Sequence, residues 1–349
     1  MLTTELDYHL PRELIAQHPA EKRDESRLLA LDRKTGAMRH GVFREITGYF
    51  RNGDLLVLND TRVLPARLLG RRRTGGKIDM LLVREVKTGL WETMITASRR
   101  LDDNEPLTFE DGAIRAWYRG RSDKKLPLVE FDEPENLSQK LRDCGRAPLP
   151  PYIKRNTPAN GSRSDDISRY QTVYARTPGA IAAPTAGLHY TPEILEQVQQ
   201  TGVAVEMLTL HVGPGTFKPV KTERLEDHIV EPEWYDVPQG LPERVIKTKQ
   251  DGGRIICVGT TTCRVLETLA RMQPNEWTLE GWTELFIRPP FEFKWVDVLQ
   301  TNFHVPKSSL LALVFGFAGR EKILAAYEEA IARGYRFYSY GDAMLIGEV

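Results

Sequence analysis

The chain has 349 residues, and its 48 Lys and Arg are balanced by 48 Asp and Glu, so no global field announces a polyanionic partner. No apolar run approaches the ~20 residues a membrane span requires, and MLTTELDYHL lacks a basic region followed by an apolar core, so neither a membrane protein nor a secretory leader is expected. The three cysteines, Cys144, Cys257 and Cys263, are an odd number without metal-ligand spacing; they suit a reducing, cytoplasmic setting, and no metal is expected.

In chain order, residues 7–16 read as a short helix, 28–31 as a strand and 43–50 as a helix. The strand over 55–58 opens directly onto Asn59-Asp60-Thr61-Arg62, where a strand end fixes polar side chains, although an Asx turn with a surface arginine fits as well. From Pro65 the texture changes. Strand-like runs at 66–70, 78–83, 91–95, 106–109, 113–118 and 126–131, separated by Gly, Asp and Asn turns, indicate a small β-barrel. Its flanks both look α/β, so the barrel (64–149) is read as an insertion into a discontinuous domain made of 1–63 and 150–349. Between 64 and 125 there are 14 Lys or Arg against 9 Asp or Glu, with a cluster at Arg71-Arg72-Arg73. Such a patch suits phosphate contacts and equally suits a solvated surface.

Residues 156–168 are polar and expected to be mobile; the arginine and tyrosines of Arg169-Tyr170-Gln171-Thr172-Val173-Tyr174 could pack or bind. The stretch 180–220 is loop, helix, strand, loop. Thr185 to Tyr190 form a loop containing Gly187 and His189, Thr191-Pro192 starts a helix, and an apolar strand over 203–210 delivers His211 into Gly213-Pro214-Gly215-Thr216. The glycines equally serve as plain turns and the histidines as strand caps. A buried strand at 255–258 ends in Gly259-Thr260-Thr261-Thr262 before a helix carrying Arg264, a corner that accepts anions because free N–H groups and the helix dipole point there. Further on come a strand at 284–287, Thr301-Asn302-Phe303-His304, helices over 310–318 and 322–333, and an aromatic strand over 335–340 that runs into Asp342.

Strands alternate with helices outside the barrel, so the fold class expected is α/β: a mixed sheet with helices on both faces, plus the inserted barrel. Ligands settle at the carboxyl ends of strands in such sheets, where several of these loops converge. No nucleophile elbow, HExxH, CxxC pair or dinucleotide fingerprint is present.

The segments DYHLPRELIAQHPAEKRDESRLL, LNDTRVLPARLLG, RYQTVYA, APTAGLHYT, TLHVGPGTF, GGRIICVGTTTCRVLE, TNFHVP and YRFYSYGDAMLI, in order from Asp7 to Ile346, closely resemble the S-adenosylmethionine:tRNA ribosyltransferase-isomerases of queuosine biosynthesis. Departures from that pattern are small: Tyr190 in place of phenylalanine, Pro214 in place of a small residue, and Pro289-Pro290-Phe291 in place of a Pro-Gly-Tyr turn. The resemblance implies an enzyme that transfers and isomerises the ribosyl part of S-adenosylmethionine onto 7-aminomethyl-7-deazaguanine at the tRNA wobble position. Epoxyqueuosine is formed, and adenine and methionine are released. S-adenosylmethionine is then a co-substrate, no cofactor is held permanently, and the partner is a tRNA anticodon stem-loop met by a monomer. Such chemistry needs a base at the carbon beside the sulfonium, a proton for departing adenine and donors for a sugar oxyanion. Residue chemistry nominates His189 or His211 as base, with Asp60 or Asp342 orienting a partner. Thr260, Thr261 and Asn302 are expected as hydrogen-bond donors, and Arg62 and Arg264 as clamps for a carboxylate or phosphate. Thr185, Gly187, Gly213, Gly215 and His304 are expected to line the site, and Arg71, Arg72 and Arg73 to grip the tRNA. A tRNA-binding module without catalysis and a methyltransferase are the alternatives; a methyltransferase's glycine-rich cofactor loop is not visible.

Overall fold

The structure, a computed structural model, describes residues 1–155, 162–274 and 276–349. The strands outside the barrel are β1 (Arg27–Asp32), β2 (Met38–Val42), β3 (Leu55–Asn59) and β4 (Thr61–Val63), then, after the barrel strands, β11 (Thr177–Ala180), β12 (Ala204–Leu210), β13 (Glu233–Asp236), β14 (Ile255–Val258), β15 (Glu280–Thr283), β16 (Val298–Asn302) and β17 (Ala343–Gly347). The helices are α1 (Pro134–Cys144), α2 (Arg163–Arg169), α3 (Pro192–Gln200), α4 (Leu241–Gln250), α5 (Gly259–Leu269), α6 (Ser309–Ala318) and α7 (Arg320–Ala332).

Nine strands form one mixed sheet in the order β15-β13-β12-β3-β14-β16-β17-β1-β2, and β4 pairs with β11 beside it. Strands β12, β3, β14 and β16 are parallel neighbours. They are covered on both faces, which is why β3 reads as the unbroken apolar run Leu55-Leu56-Val57-Leu58. The pleat still sorts alternate residues. Leu55 and Val57 join the core formed with α4, α5, α6 and α7, whereas Leu56 and Leu58 join the one formed with α3 and the 3-10 turn Phe43–Tyr49. Strand β17 is antiparallel to β16, with Ala343 opposite Asn302, and β1 is parallel to β17. One edge of the sheet therefore gathers the carboxyl ends of four strands and the amino ends of two.

The barrel strands are β5 (Arg67–Arg72), β6 (Lys77–Lys87), β7 (Leu90–Ala97), β8 (Pro106–Phe109), β9 (Ile114–Arg121) and β10 (Pro127–Phe131), closed in the order β10-β7-β6-β5-β8-β9. Closure leaves no unpaired edge, and Leu68, Met80, Leu82, Leu107, Phe109, Ile114 and Val129 fill the interior together with Leu137 and Leu141 of α1. The ends of the segment meet, since Arg67 and Arg146 exchange backbone hydrogen bonds of 3.1 and 2.9 Å.

Several elements depart from the pattern in the sequence. Residues 7–16 hold only the 3-10 turn Arg12–Leu14. Residues 284–287 are irregular; the strand there is β15, the edge strand, pairing with β13, while Leu285, Phe286 and Ile287 pack on the core. Residues 335–340 are not a strand either. Tyr335 and Phe337 stack against Phe303, and Phe337 also meets Tyr327, so ring packing has taken the place of a ladder. Of the polar stretch 156–168, residues 156–161 lie outside the described residues, and most of the remainder is α2, capped by the Ser162 side chain. Among the described residues no helix is long and apolar enough to cross a membrane.

The edge opposite the site is tied by Asp54. Its carboxylate accepts the backbone N–H of Arg51 (2.8 Å) and of Arg254 (3.0 Å) and the Arg254 guanidinium (2.6 and 3.2 Å), joining the starts of β3 and β14. Asp54→Ala strands a nearly buried guanidinium and is expected to lower unfolding stability by about 3 kcal/mol, measured by urea denaturation, with substrate KM unchanged; a rise in KM would place Asp54 in the functional machinery.

Candidate active site

Where the four carboxyl ends and two amino ends meet, the surface opens into a cleft. Five residues expected at a site line it: Thr185, Thr260, Thr261, Asn302 and His304. Gly259, at φ +89°, turns the chain abruptly from β14 into α5, a left-handed conformation suited to glycine. Thr260 and Thr261 thus stand in the first helical turn, where N–H groups and the dipole favour negative charge. Asn59 holds this corner together: its Nδ2 donates to the Leu210 carbonyl (3.0 Å) and to Thr261 Oγ1 (3.4 Å), while its Oδ1 accepts from the N–H of Leu210 and Thr61. Tyr338, also in the lining, adopts φ +73°, a strained conformation for a bulky residue of the kind that concentrates at functional sites.

Two buried histidines face this region. His189 lies between Ser26, whose Oγ is 2.7 Å from Nδ1, and Asn302, whose Nδ2 is 3.0 Å from Nε2; Phe43 packs on its ring. The same Nδ2 lies 3.5 Å from the Asp342 carbonyl, which can only accept. The amide nitrogen therefore points inward, His189 Nε2 accepts, and Nδ1–H donates to Ser26. Asn302 Oδ1 is left buried without a partner among the described residues. Burial holds the His189 pKa down to about 4, against the opposing pull of the Asp342 charge. His304 Nε2 is 2.8 Å from Thr301 Oγ1, and burial takes its pKa down to about 3. Its backbone is fixed on both sides: its N–H donates to the Tyr327 hydroxyl and its carbonyl accepts from Tyr8. Both imidazoles are neutral at physiological pH.

Other expected residues lie elsewhere. His211 stacks on Trp234, its Nδ1 is 2.8 Å from Thr61 Oγ1, and its Nε2 points at the space a side chain on Gly179 would fill. Burial lowers its pKa while nearby Asp60 opposes. Asp60 itself accepts from Arg176 (2.8 and 3.1 Å) and Thr209 (2.6 Å), and exposed Arg62 donates to the Ala175 carbonyl. The Asp342 carboxylate accepts from the Arg27 and Arg336 backbones and from the Arg27 side chain. Arg264 is no clamp for a carboxylate or phosphate: it is buried, paired with Glu233, and donates to the carbonyls of Leu285 and Thr283. Glu233 in turn accepts from the Gly213 N–H and Thr216, so this pair ties the glycine loop to α5. Gly213 and Gly215 border a second hollow that shares Thr216 and Leu310 with the cleft. Gly187 is required for packing, since a Cβ there would lie 1.9 Å from the Tyr174 hydroxyl.

On the barrel, Arg71 and Arg73 are exposed, but Arg72 is not available for tRNA. Its guanidinium makes a bidentate pair with Glu105 at 2.8 and 2.7 Å, both side chains being only 8% accessible. Ser26 and Tyr338 were not among the expected site residues. Ser26 reaches the site only because β1 runs parallel to a strand that is itself antiparallel to β16, and nothing in a local motif carries that information.

The neutral histidines make stability depend on pH. Each has a folded pKa below its unfolded value of about 6.5, so the unfolded chain binds more protons and stability falls as pH drops below about 6.5. His304→Gln is expected to remove about 2 kcal/mol of the decline between pH 7 and pH 5, read as the change in the wild-type-minus-variant difference by urea denaturation at both pH values. A difference independent of pH would mean that His304 titrates normally.

The model of the family described as queuosine biosynthesis protein matches residues 3–346. The chain is 48% identical over 348 residues to the S-adenosylmethionine:tRNA ribosyltransferase-isomerase of Pelobacter propionicus, covering 99% of this chain and 100% of that one. It is 46% identical over 346 residues to the enzyme of the same name from Thermotoga maritima, with the same coverage. A crystal structure of S-adenosylmethionine tRNA ribosyltransferase from Thermotoga maritima superposes with a TM-score of 0.55 and 37% identity over 98% of this chain and 99% of that one. With the sheet, the barrel and the cleft in place, and with relatives matched end to end, the chain belongs to the queuosine biosynthesis protein family.

Proposed function

We infer that the protein is an S-adenosylmethionine:tRNA ribosyltransferase-isomerase, moving the ribosyl unit of S-adenosylmethionine to 7-aminomethyl-7-deazaguanine at the wobble position and releasing adenine and methionine. The observation that carries the reading at the level of the site is the buried carbonyl oxygen of Asn302, without a partner among the described residues, in a cleft beside two neutral histidines. A buried acceptor left unpaired costs about 1–3 kcal/mol, and a substrate N–H or O–H placed there removes that penalty. His189 fixes the Asn302 amide from behind, whereas His304 lines the cleft, so His304 is the proposed base. A neutral imidazole takes the proton from the carbon made acidic by the sulfonium. Because burial keeps its conjugate acid strong, His304 then hands that proton readily to departing adenine. The hydroxyls of Thr260 and Thr261 and the first turn of α5 stand ready for a developing sugar oxyanion.

Residues 64–149 are proposed as an inserted unit that grips the anticodon stem in a cytoplasmic setting, with Arg71 and Arg73 as the phosphate contacts. Arg71→Glu combined with Arg73→Glu is expected to weaken tRNA binding severalfold and to lower the salt slope of log K by about one to two, in filter binding across a salt series. An unchanged slope would move the grip off this face.

The activity itself is tested with S-adenosylmethionine and tRNA carrying the 7-aminomethyl base, products being followed by mass spectrometry. Free adenine and methionine with a heavier wobble nucleoside are expected, and His304→Gln and Asn302→Ala should each lower kcat about a hundredfold or more. S-adenosylhomocysteine would indicate a methyltransferase, and binding without products a tRNA-binding module.

A further inference from the structure

Two arginines in segments given no role so far, Arg23 before β1 and Arg169 at the end of α2, face one small recess. His189 forms part of its wall, and Ser339 lines both this recess and the main cleft, so the two adjoin. Neither guanidinium has a carboxylate partner among the described residues. Arg23 donates to the carbonyls of Leu188 and Ser168, both at 3.1 Å, and Arg169 to those of Glu21 and Ala20. Each thereby commits two of five N–H donors. The nearby acid Asp166 is occupied by Arg155 in three contacts of 2.9–3.0 Å. Two further donors in the wall are buried and without a partner among the described residues, the Arg169 Nε–H and the hydroxyl of Tyr340, a residue only 3% exposed. Burial, and after it the charge of Arg169, pulls the Arg23 guanidinium below its ordinary pKa, as follows when two cations share a recess without an anion.

We propose that the recess between Arg23 and Arg169 is an oxyanion subsite of the active site, holding a carboxylate or phosphate oxyanion of a substrate seated in the main cleft. Two cations, a spare Nε–H and a spare hydroxyl converge there, and planar guanidinium groups match both oxyanions by paired hydrogen bonds. Two sources present this chemistry: the methionyl carboxylate of S-adenosylmethionine, or a backbone phosphate next to the nucleoside being modified. The subsite rests on the activity inferred above, but its test reads binding rather than turnover.

S-adenosylmethionine and its decarboxylated analogue are titrated calorimetrically into wild type, Arg23→Gln, Arg169→Gln and Tyr340→Phe, and tRNA is titrated by filter binding over a salt series. If the carboxylate is the occupant, wild type prefers S-adenosylmethionine to the analogue by tenfold or more, and the arginine variants lose that preference with tRNA affinity intact. If the occupant is a phosphate, the arginine variants weaken tRNA about tenfold and lower the salt slope by about one, with S-adenosylmethionine unaffected. Tyr340→Phe, which removes only a hydroxyl, should weaken the same ligand severalfold, so misfolding of an arginine variant does not decide the matter. All three variants binding both ligands within twofold of wild type would overturn the subsite, and a wild type that binds neither ligand would overturn the functional reading beneath it.

Discussion

Asn302 stands opposite Ala343 where β16 and β17 pair antiparallel, and from that register comes a buried line of hydrogen bonds: Ser26 to His189, His189 to Asn302, Asn302 to the carbonyl of Asp342. Each link fixes the next. The carbonyl can only accept, so the amide must turn its nitrogen inward. The imidazole must then present a bare Nε2, and its Nδ1–H is committed to the serine. The amide oxygen is thereby left without a donor among the described residues. In a buried setting that is unfavourable, and it persists because reversing the amide would unmake two contacts to satisfy one. On the function proposed, a substrate donor placed there relieves it, and the line of bonds then serves positioning as well as folding.

Charge around the cleft is disposed of in pairs set back from it. Arg27 and Arg336 surround Asp342, Glu233 holds Arg264, and Arg176 holds Asp60. Each carboxylate so engaged keeps a loop at a fixed distance from the sheet edge. The Glu233–Arg264 pair fixes Gly213 and Thr216 against α5, and Asp342 locks the amino ends of β1 and β17 to the chain that leads into them. A buried pair of this kind is weak grounds for stability against an apolar substitute. Its value here is geometric, because a loop bearing His189 or Thr216 would otherwise be free to shift by more than proton transfer tolerates.

Much of the architecture could be read from residue order, because period and punctuation are local properties. The unbroken apolar run Leu55-Leu56-Val57-Leu58, the Thr191-Pro192 helix start and the six short runs between residues 66 and 131 correspond to strand β3, helix α3 and the closed barrel. Runs in which rings replaced a ladder, as at Tyr335 and Phe337, could not be read, since aromatic side chains suit a strand and a core equally. At the site, Thr260, Thr261, Asn302 and His304 were legible because they sit at strand ends. The commitments of Arg264, Arg72 and Asp342 were not. Whether a charged side chain is free depends on a partner 31, 33 or 315 residues away, and no local pattern encodes a distance of that kind. Ser26 was hidden for a related reason, since one reversal of strand direction, between β16 and β17, brings the amino end of β1 to the edge where the carboxyl ends lie.

The absence of any Asp or Glu side chain from the described lining of the main cleft bears directly on the chemistry inferred for it. A sulfonium acidifies the neighbouring carbon through its positive charge, and a carboxylate at close range would stabilise that cation in the ground state more than the neutral ylide formed when the proton leaves. In a low-dielectric pocket the penalty amounts to several kcal/mol, since two unit charges about 4 Å apart interact by about 4 kcal/mol at an effective dielectric of 20. Hydroxyls, amides and neutral imidazoles bind the same substrate through dipoles without quenching it. An imidazole kept neutral by burial is also a base that brings no charge of its own to the encounter. The low pKa of His304 costs it basicity, but proton removal beside a sulfonium depends on the unquenched cation as much as on the strength of the base. A cleft emptied of carboxylates and bordered by neutral histidines is the electrostatic arrangement that keeps the sulfonium acidic.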